Sequence, residues 1–106
     1  MKIAIVISTN DSETSWNAFR FANFCLSKNE TVKVFLIGKG VEAEQISSEK
    51  FNVVEQMQKF VSSDGIIYAC GTCFKIRNSN GTELCPLSTM NDLYEMVKEA
   101  DKVLSF

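Results

Sequence analysis

Four short apolar runs, rich in β-branched residues, recur along this 106-residue chain and constrain its fold more than any other feature. They lie at Ile3–Ile7, Val32–Ile37, Gly65–Cys70 and Lys102–Phe106. Each run is continuous rather than alternating, which is typical of a strand with both faces covered. The sequence therefore predicts strands buried inside a sheet, with helices packed on both of its faces.

Segments with helical spacing separate these runs. Apolar residues recur three and four positions apart in Glu13–Ser27, Ser48–Ser62 and Thr89–Ala100. Because strand and helix alternate, we predict a three-layer α/β/α fold with a mostly parallel sheet, formed by a single domain over residues 1–106. A weaker strand is expected at Thr82–Cys85, which brings the sheet to about five strands.

The loops at the carboxyl ends of the predicted strands are the place to look for a site, because open parallel sheets bind their ligands there. These loops are Ser8–Thr14, Gly38–Val41, Cys70–Phe74 and Cys85–Thr89. Two caps are expected beside them: Asp11 or Ser12 before the first helix, and Thr89 with Asp92 before the last. Glu42 and Glu44 are expected on a solvated helix face.

Composition excludes several classes of function. With 11 basic and 13 acidic residues the net charge is −2, and the basic residues are scattered, so we expect no direct binding of nucleic acid. Histidine is absent, which removes Ser–His and Cys–His nucleophile pairs and every histidine-ligated metal site. No Walker motif or dinucleotide fingerprint occurs, and we expect no cofactor.

The most informative stretch is Cys70-Gly-Thr-Cys73, at the predicted junction of the third strand with a short helix. A thiol there lies near free helix amides, which favour the thiolate, the reactive form of cysteine. Gly71 permits a tight turn, and Lys75 and Arg77 add positive charge one to two turns further on. The residues expected to support Cys70 and Cys73 are Gly71, Thr72, Lys75 and Arg77.

The other two cysteines differ in their sequence context, and the Cys70–Cys73 pair has two other chemical interpretations. Cys25 lies on the apolar stripe of the first helix and is expected in the core. Cys85 precedes Pro86 at a strand-end loop and is intermediate, since it could approach Cys70 from the neighbouring strand. Structural zinc is disfavoured because there is one Cys-x-x-Cys pair and no histidine. A thioredoxin-type redox site stays open, although the pair follows the third strand rather than the first.

The opening residues bear on location. The apolar run at Ile3–Ile7 has five residues, against roughly 7–15 in a signal peptide and about 20 in a membrane span. We therefore expect a cytoplasmic protein without a membrane partner, whose four cysteines stay reduced.

The chain resembles the DsrE/DsrF-like family of small sulfur-relay proteins over nearly its whole length. Ile3–Ser12 and Trp16–Ala22 are similar to the family's first strand and helix. Ile66–Arg77 is similar to its cysteine strand, with the basic residue of the following helix at Arg77. Leu84–Leu93 and Ala100–Phe106 resemble the tail of a stand-alone subgroup, so the resemblance implies a single DsrE-like domain over residues 1–106.

The resemblance implies a sulfur carrier, or sulfurtransferase-like protein, whose reactive cysteine is Cys70. This cysteine would hold sulfane sulfur as a persulfide, taken from a donor protein or small sulfane-sulfur compound and passed to an acceptor protein. An attack by Cys73 or Cys85 on Cys70 would instead form a disulfide and release hydrosulfide. The resemblance also implies a homo-oligomer, with a trimer favoured, and the many apolar side chains favour subunit interfaces.

Two other functions remain open from the sequence. One is a non-catalytic oligomeric protein that binds a ligand or partner and whose cysteines are structural. The other is a Cys-x-x-Cys thiol–disulfide reductase. Persulfide formation on Cys70 distinguishes the sulfur carrier from the binding protein.

Overall fold

The computed structural model describes residues 1–106, which form an α/β fold. The strands are β1 (Lys2–Ile7), β2 (Thr31–Leu36), β3 (Ile66–Cys70), β4 (Leu87–Ser88) and β5 (Lys102–Ser105). The helices are α1 (Ser12–Ser27), α2 (Val53–Ser62), α3 (Gly71–Ile76) and α4 (Met90–Glu99), and a 3₁₀ segment covers Gly38–Gln45. The predicted alternation of strand and helix is confirmed.

All five strands are parallel, in the order β4-β3-β2-β1-β5. The segments that join β1 to β2, β2 to β3 and β3 to β4 lie on one face of this sheet, because crossovers between parallel strands are right-handed. The connection from β4 to β5, which contains α4, lies on the other face. The predicted three-layer fold is therefore confirmed. The strand order reverses between β1 and β5, and there Ser8 donates its N–H to the carbonyl oxygen of Phe106 at 2.9 Å.

The core lies between the sheet and the packed pair α1 and α2. Phe19, Phe35 and Phe60 are the largest fully buried side chains, contributed by α1, β2 and α2 in turn. The rings of Phe19 and Phe60 meet edge to face with centroids 6.0 Å apart, an arrangement that aromatic pairs prefer. Burial of the apolar stripes on these helices is what holds the layer to the sheet.

Two sequence predictions about local structure are wrong. The fourth strand lies at Leu87–Ser88 rather than at Thr82–Cys85. Residues 82–85 turn back on themselves, since the Thr82 N–H donates to the Cys85 carbonyl at 3.0 Å and the Cys85 N–H to Thr82 Oγ1 at 3.1 Å. The second predicted helix begins at Val53 instead of Ser48, because Asn52 caps it there.

Three of the four α-helices begin with an oxygen cap that accepts the N–H three residues on. Asp11 caps α1 through the Thr14 N–H at 2.9 Å, and Asn52 caps α2 through the Glu55 N–H at 3.0 Å. Thr89 caps α4 at 3.2 Å in a capping box with Asp92, as predicted. The exception is α3, whose N-cap residue, Cys70, makes no side-chain cap hydrogen bond.

Candidate functional site

Cys70 lies where the sequence predicted it, at the carboxyl end of an interior parallel strand. It is the last residue of β3, pairs with Ser88 of β4 and precedes α3 directly. Its side chain is buried, with 3% exposed. The sequence predicted that N–H groups of the helix would donate to the Cys70 sulfur. No such hydrogen bond is present, because the Cys70 side chain does not cap α3.

Cys73 follows three residues later, in the first turn of α3, and is the one cysteine that is not fully buried. Its sulfur accepts the backbone N–H of Gly38 at 3.2 Å. Gly38 has a φ of +57°, in the left-handed region where glycine alone is free of strain. The amide that supports a cysteine sulfur therefore comes from the loop after β2 rather than from α3.

The 3₁₀ segment reaches α3 because it packs tightly on the end of β1. A Cβ on Gly40 would lie 2.0 Å from the carbonyl oxygen of Ile7, so only glycine permits this approach. The Gly40 N–H also donates to the Ile37 carbonyl at 2.9 Å, which closes the turn after β2. The loop carrying Gly38 is thereby held beside Cys73.

Arg77 binds the 3₁₀ segment. Its Nε donates to Glu42 Oε2 at 2.7 Å and its Nη1 donates to the carbonyl of Cys73 at 3.1 Å. The hydrogen bond from Arg77, and then the one from Asn10 Nδ2 at 3.2 Å, lower the pKa of Glu42. The prediction that Glu42 is merely solvated is wrong, because this carboxylate, in the 3₁₀ segment, links the loop after β1 to the end of α3.

Opposing influences act on Cys73. Burial, and then hydrogen bonding with the Cys70 thiol, raise the pKa of Cys73 above that of an ordinary cysteine. The Gly38 N–H and the positive charge of Arg77 act in the other direction and favour the thiolate. The Cys70 thiol is therefore one of the groups that set the pKa of Cys73.

Cys85 lies in a different environment and is not brought to this pair. Burial, and then the negative charge of Glu44, raise the pKa of Cys85 to about 12. Glu44 is held by Thr82 Oγ1, which donates to it at 2.6 Å, so Glu44 is also not the free surface residue that the sequence predicted. Cys70 pairs with Ser88, which places Cys85 three residues back along the strand direction.

The other predicted supporting residues lie on the side of Cys70 that faces β4. Gly71, Thr72 and Lys75 line an open cavity of about 380 Å³, together with Ser88 and Met90. Arg77 turns instead toward Glu42. The positive charges predicted to act together at Cys70 are therefore divided between two sides of α3.

Two general properties complete the description of the molecule. No three Cys, Asp or Glu side chains converge as a group that could hold a metal ion. None of the helices combines the length and the apolar character needed to cross a bilayer.

Sequence reasoning missed the contribution of Gly38 and Glu42 to the site. The loop Gly38–Val41 was expected at the sheet edge, but nothing in its composition identified an amide directed at sulfur. The paired glycines Gly38 and Gly40 after a strand were the available signal, since such glycines permit a positive φ and a close backbone approach.

The fold and the site together define a class: a small parallel α/β domain with a thiol pair where an interior strand meets a short helix. The chain belongs to the DsrE/DsrF-like family, whose model matches residues 1–106. Members of this family act in sulfur relay, often as oligomers.

Individual proteins agree with this assignment. The chain is 32% identical to uncharacterized protein MJ0989 of Methanocaldococcus jannaschii, over the full length of both. It is 35% identical to uncharacterized protein MK0008 of Methanopyrus kandleri, over 98% of this chain and 93% of the relative. The crystal structure of the ychN protein from E. coli superposes with a TM-score of 0.86 at 22% identity over all of both chains, which shows the shared fold.

Proposed function

We propose that this protein is a sulfur carrier that relays sulfane sulfur as a persulfide on Cys70. The observation that carries the proposal is the position of Cys70, at the end of β3 with a second thiol in the next helical turn, in a family that acts in sulfur relay. We expect this activity in the cytoplasm, where all four cysteines stay reduced.

The chemistry needs thiolates alone. The Cys70 thiolate attacks a sulfane sulfur, a new S–S bond forms, and the donor's bond to that sulfur breaks with its electron pair leaving on the donor. An acceptor thiolate then attacks the outer sulfur of the persulfide, which returns Cys70 to the thiolate. The low exposure of Cys70 shields the persulfide from oxidants in solution between the two steps.

The test is the mass of the protein after incubation with polysulfide or thiosulfate. The wild-type chain should gain about 32 Da, one sulfur atom, on the peptide that contains Cys70. Cys70→Ser should abolish the adduct, and Cys25→Ser, a matched change of a buried cysteine in α1, should leave it unchanged. An adduct that persists in Cys70→Ser, or that labels all four cysteines equally, rules the proposal out.

We also propose that the carrier is a homo-oligomer, with a trimer favoured, built on the face of α4 and β5. Large apolar side chains there are more than one third exposed: Met90, Tyr94, Val97, Val103 and Leu104. Large apolar side chains left exposed on a surface often mark an interface, and a second copy of the chain carries the same surface.

Sedimentation at micromolar concentration tests the assembly. Tyr94→Glu should dissociate it, because a carboxylate would be buried in the interface. Phe24→Glu on α1 is the matched control, since both rings are more than half exposed and each has a lysine over it. A wild-type monomer, or equal dissociation by both changes, contradicts the proposed interface.

The pair of interacting thiols also favours a second candidate function, a thiol–disulfide reductase. Such an enzyme would reduce a disulfide substrate at the expense of a dithiol and would need no sulfane sulfur. Turnover of a small disulfide by the wild-type protein, with no 32 Da adduct under any sulfane donor, would select the reductase. If the protein shows neither turnover of a disulfide nor a 32 Da adduct, the function that remains is that of a non-catalytic binding protein.

A further inference from the structure

Cys70 and Cys73 occupy the N-cap and the first turn of the same helix. Cys70 is the N-cap of α3 and Cys73 is the third residue of that helix. In α1, α2 and α4 of this same molecule, the N-cap side chain reaches the third residue and accepts its N–H at 2.9–3.2 Å. Cys70 therefore stands at the position from which an N-cap side chain reaches the third residue, and its thiol is near enough to contribute to the raised pKa of Cys73.

The Cys73 sulfur is held in place from outside the helix. The Gly38 N–H, which comes from the loop after β2, donates to Cys73 Sγ at 3.2 Å. An N–H directed at sulfur favours the thiolate and opposes the burial that raises the pKa of Cys73. Arg77 adds positive charge beside it, because its Nη1 donates to the Cys73 carbonyl at 3.1 Å.

Neither of the other cysteines is placed to react with Cys70. Cys85 stands three residues before Ser88, the partner of Cys70, and lies outside β4. Its thiol lies beside the Glu44 carboxylate, which disfavours the thiolate that an attack on Cys70 requires. Cys25 lies on the buried face of α1 in the apolar core.

We infer that Cys73 resolves the persulfide on Cys70, which releases the carried sulfur as hydrosulfide and leaves a Cys70–Cys73 disulfide. This inference rests on the proposed function, because it begins from the loaded carrier. It makes the protein a reductive sulfide-releasing carrier in addition to a donor to other thiols. Gly38 is the positioning residue, since it touches the attacking sulfur but exchanges no bond.

The step is balanced in atoms and electrons. The Cys73 sulfur attacks Cys70 Sγ, the Cys70–Cys73 S–S bond forms, and the bond from Cys70 Sγ to the outer sulfur breaks. The outer sulfur takes the electron pair and the proton of the Cys73 thiol and departs as HS⁻. Over loading and release together, the sulfane sulfur gains two electrons and the two thiols become one disulfide.

A dithiol reductant then returns the pair to its starting state. The dithiol attacks the Cys70–Cys73 disulfide, becomes a disulfide itself and leaves two protein thiols. Without a dithiol, each chain therefore releases one equivalent of hydrosulfide and stops. With excess dithiol and sulfane donor, release continues.

The experiment follows a preloaded carrier after the polysulfide donor has been removed. In the wild-type protein the 32 Da adduct should decay as hydrosulfide is formed, and the product should be about 2 Da lighter than the reduced chain. Peptide mapping of this wild-type product should find the disulfide between Cys70 and Cys73, a readout that needs no substitution. In Cys73→Ser the adduct should last at least about tenfold longer, with hydrosulfide release reduced in proportion.

The matched control is Cys85→Ser, whose 32 Da adduct should decay at the wild-type rate. Cys73→Ala provides a second variant in case the serine substitution at this position perturbs folding. Equal adduct lifetimes in the wild-type and Cys73 variants overturn the inference and leave the proposed function intact. An adduct that forms in none of these proteins overturns the proposed function itself. A disulfide mapped to Cys85 contradicts the assignment of Cys73.

Discussion

Two neighbouring junctions of strand and helix differ in how they use the cap position. At the β4–α4 junction, Thr89 Oγ1 accepts the Asp92 N–H and Asp92 Oδ2 accepts the Thr89 N–H, at 3.2 and 2.8 Å. At the β3–α3 junction, Cys70 stands in the equivalent place and caps nothing. The two junctions are adjacent in the sheet and both connections begin at the carboxyl ends of parallel strands.

The difference supports the proposal that the β3–α3 junction carries the function. An oxygen cap contributes about 1 kcal/mol to a helix, and a cysteine at the same position gives up that contribution. Functional positions in a protein often carry a residue that is less stabilising than the one found at the same structural position elsewhere, because the chemistry requires that residue. Each junction also has a cysteine nearby, yet Cys73 meets an amide whereas Cys85 meets a carboxylate.

The largest expected effect separates the cysteines of the two junctions by their reactivity. At pH 8, iodoacetamide should label Cys73 at least about a hundredfold faster than Cys85, because a thiol with a pKa of about 12 is almost never ionised there. Peptide mapping over time measures both rates in one sample. Labelling in denaturant is the control, where the two rates should become similar. Equal rates in the native protein would remove the distinction between the junctions.

The next effect is on the capped junction. Thr89→Ala removes the side-chain acceptor of the capping box and should lower the free energy of unfolding by about 1 kcal/mol. Thr89→Ser keeps the hydroxyl and should stay close to wild type. Urea unfolding monitored by circular dichroism compares the three proteins, and an alanine variant as stable as the serine variant would show that this cap adds nothing.

At the uncapped β3–α3 junction, a hydroxyl introduced at the N-cap should raise the free energy of unfolding, by less than the loss expected at Thr89. A serine hydroxyl at the N-cap accepts a helix N–H, so Cys70→Ser should be more stable than Cys70→Ala by about 0.5–1 kcal/mol. The same urea titrations measure the difference. The serine variant would thus regain a cap while losing the persulfide. If alanine is the more stable of the two, the cap position of α3 is not free for a hydroxyl.

The smallest effect concerns the contact that joins α3 to the 3₁₀ segment. The Arg77 hydrogen bond lowers the pKa of Glu42, so this contact stabilises the fold above the ordinary glutamate pKa and is lost as pH falls through the lowered value. Arg77→Met should therefore destabilise the protein at pH 7 and differ less from wild type at pH 3.5. Lys75→Met, on the same helix but without an ion pair, is the control. The measurement is the urea midpoint of unfolding of each protein at both pH values. A difference between wild type and Arg77→Met that does not change with pH would contradict the role of Glu42.

The sequence determined the parallel sheet, most element boundaries and the position of Cys70. This was possible because these features depend on local patterns: continuous apolar runs, helical spacing and the junction of a strand with a helix. The caps at Asp11 and Thr89 were predictable for the same reason, since a cap joins residues three positions apart.

Only the tertiary structure decided what surrounds the cysteines. The Gly38 amide and Cys73 are 35 residues apart, as are Glu42 and Arg77, and Thr82 lies 38 residues from Glu44. Such contacts depend on the path of a loop over the sheet and on the register between two strands. Neither of these produces a periodic pattern of apolar residues in the sequence. A turn at residues 82–85 replaced the predicted strand, and Cys85 lies beside the carboxylate of Glu44. The partner of each thiol is therefore a property of the packed sheet rather than of the sequence around it.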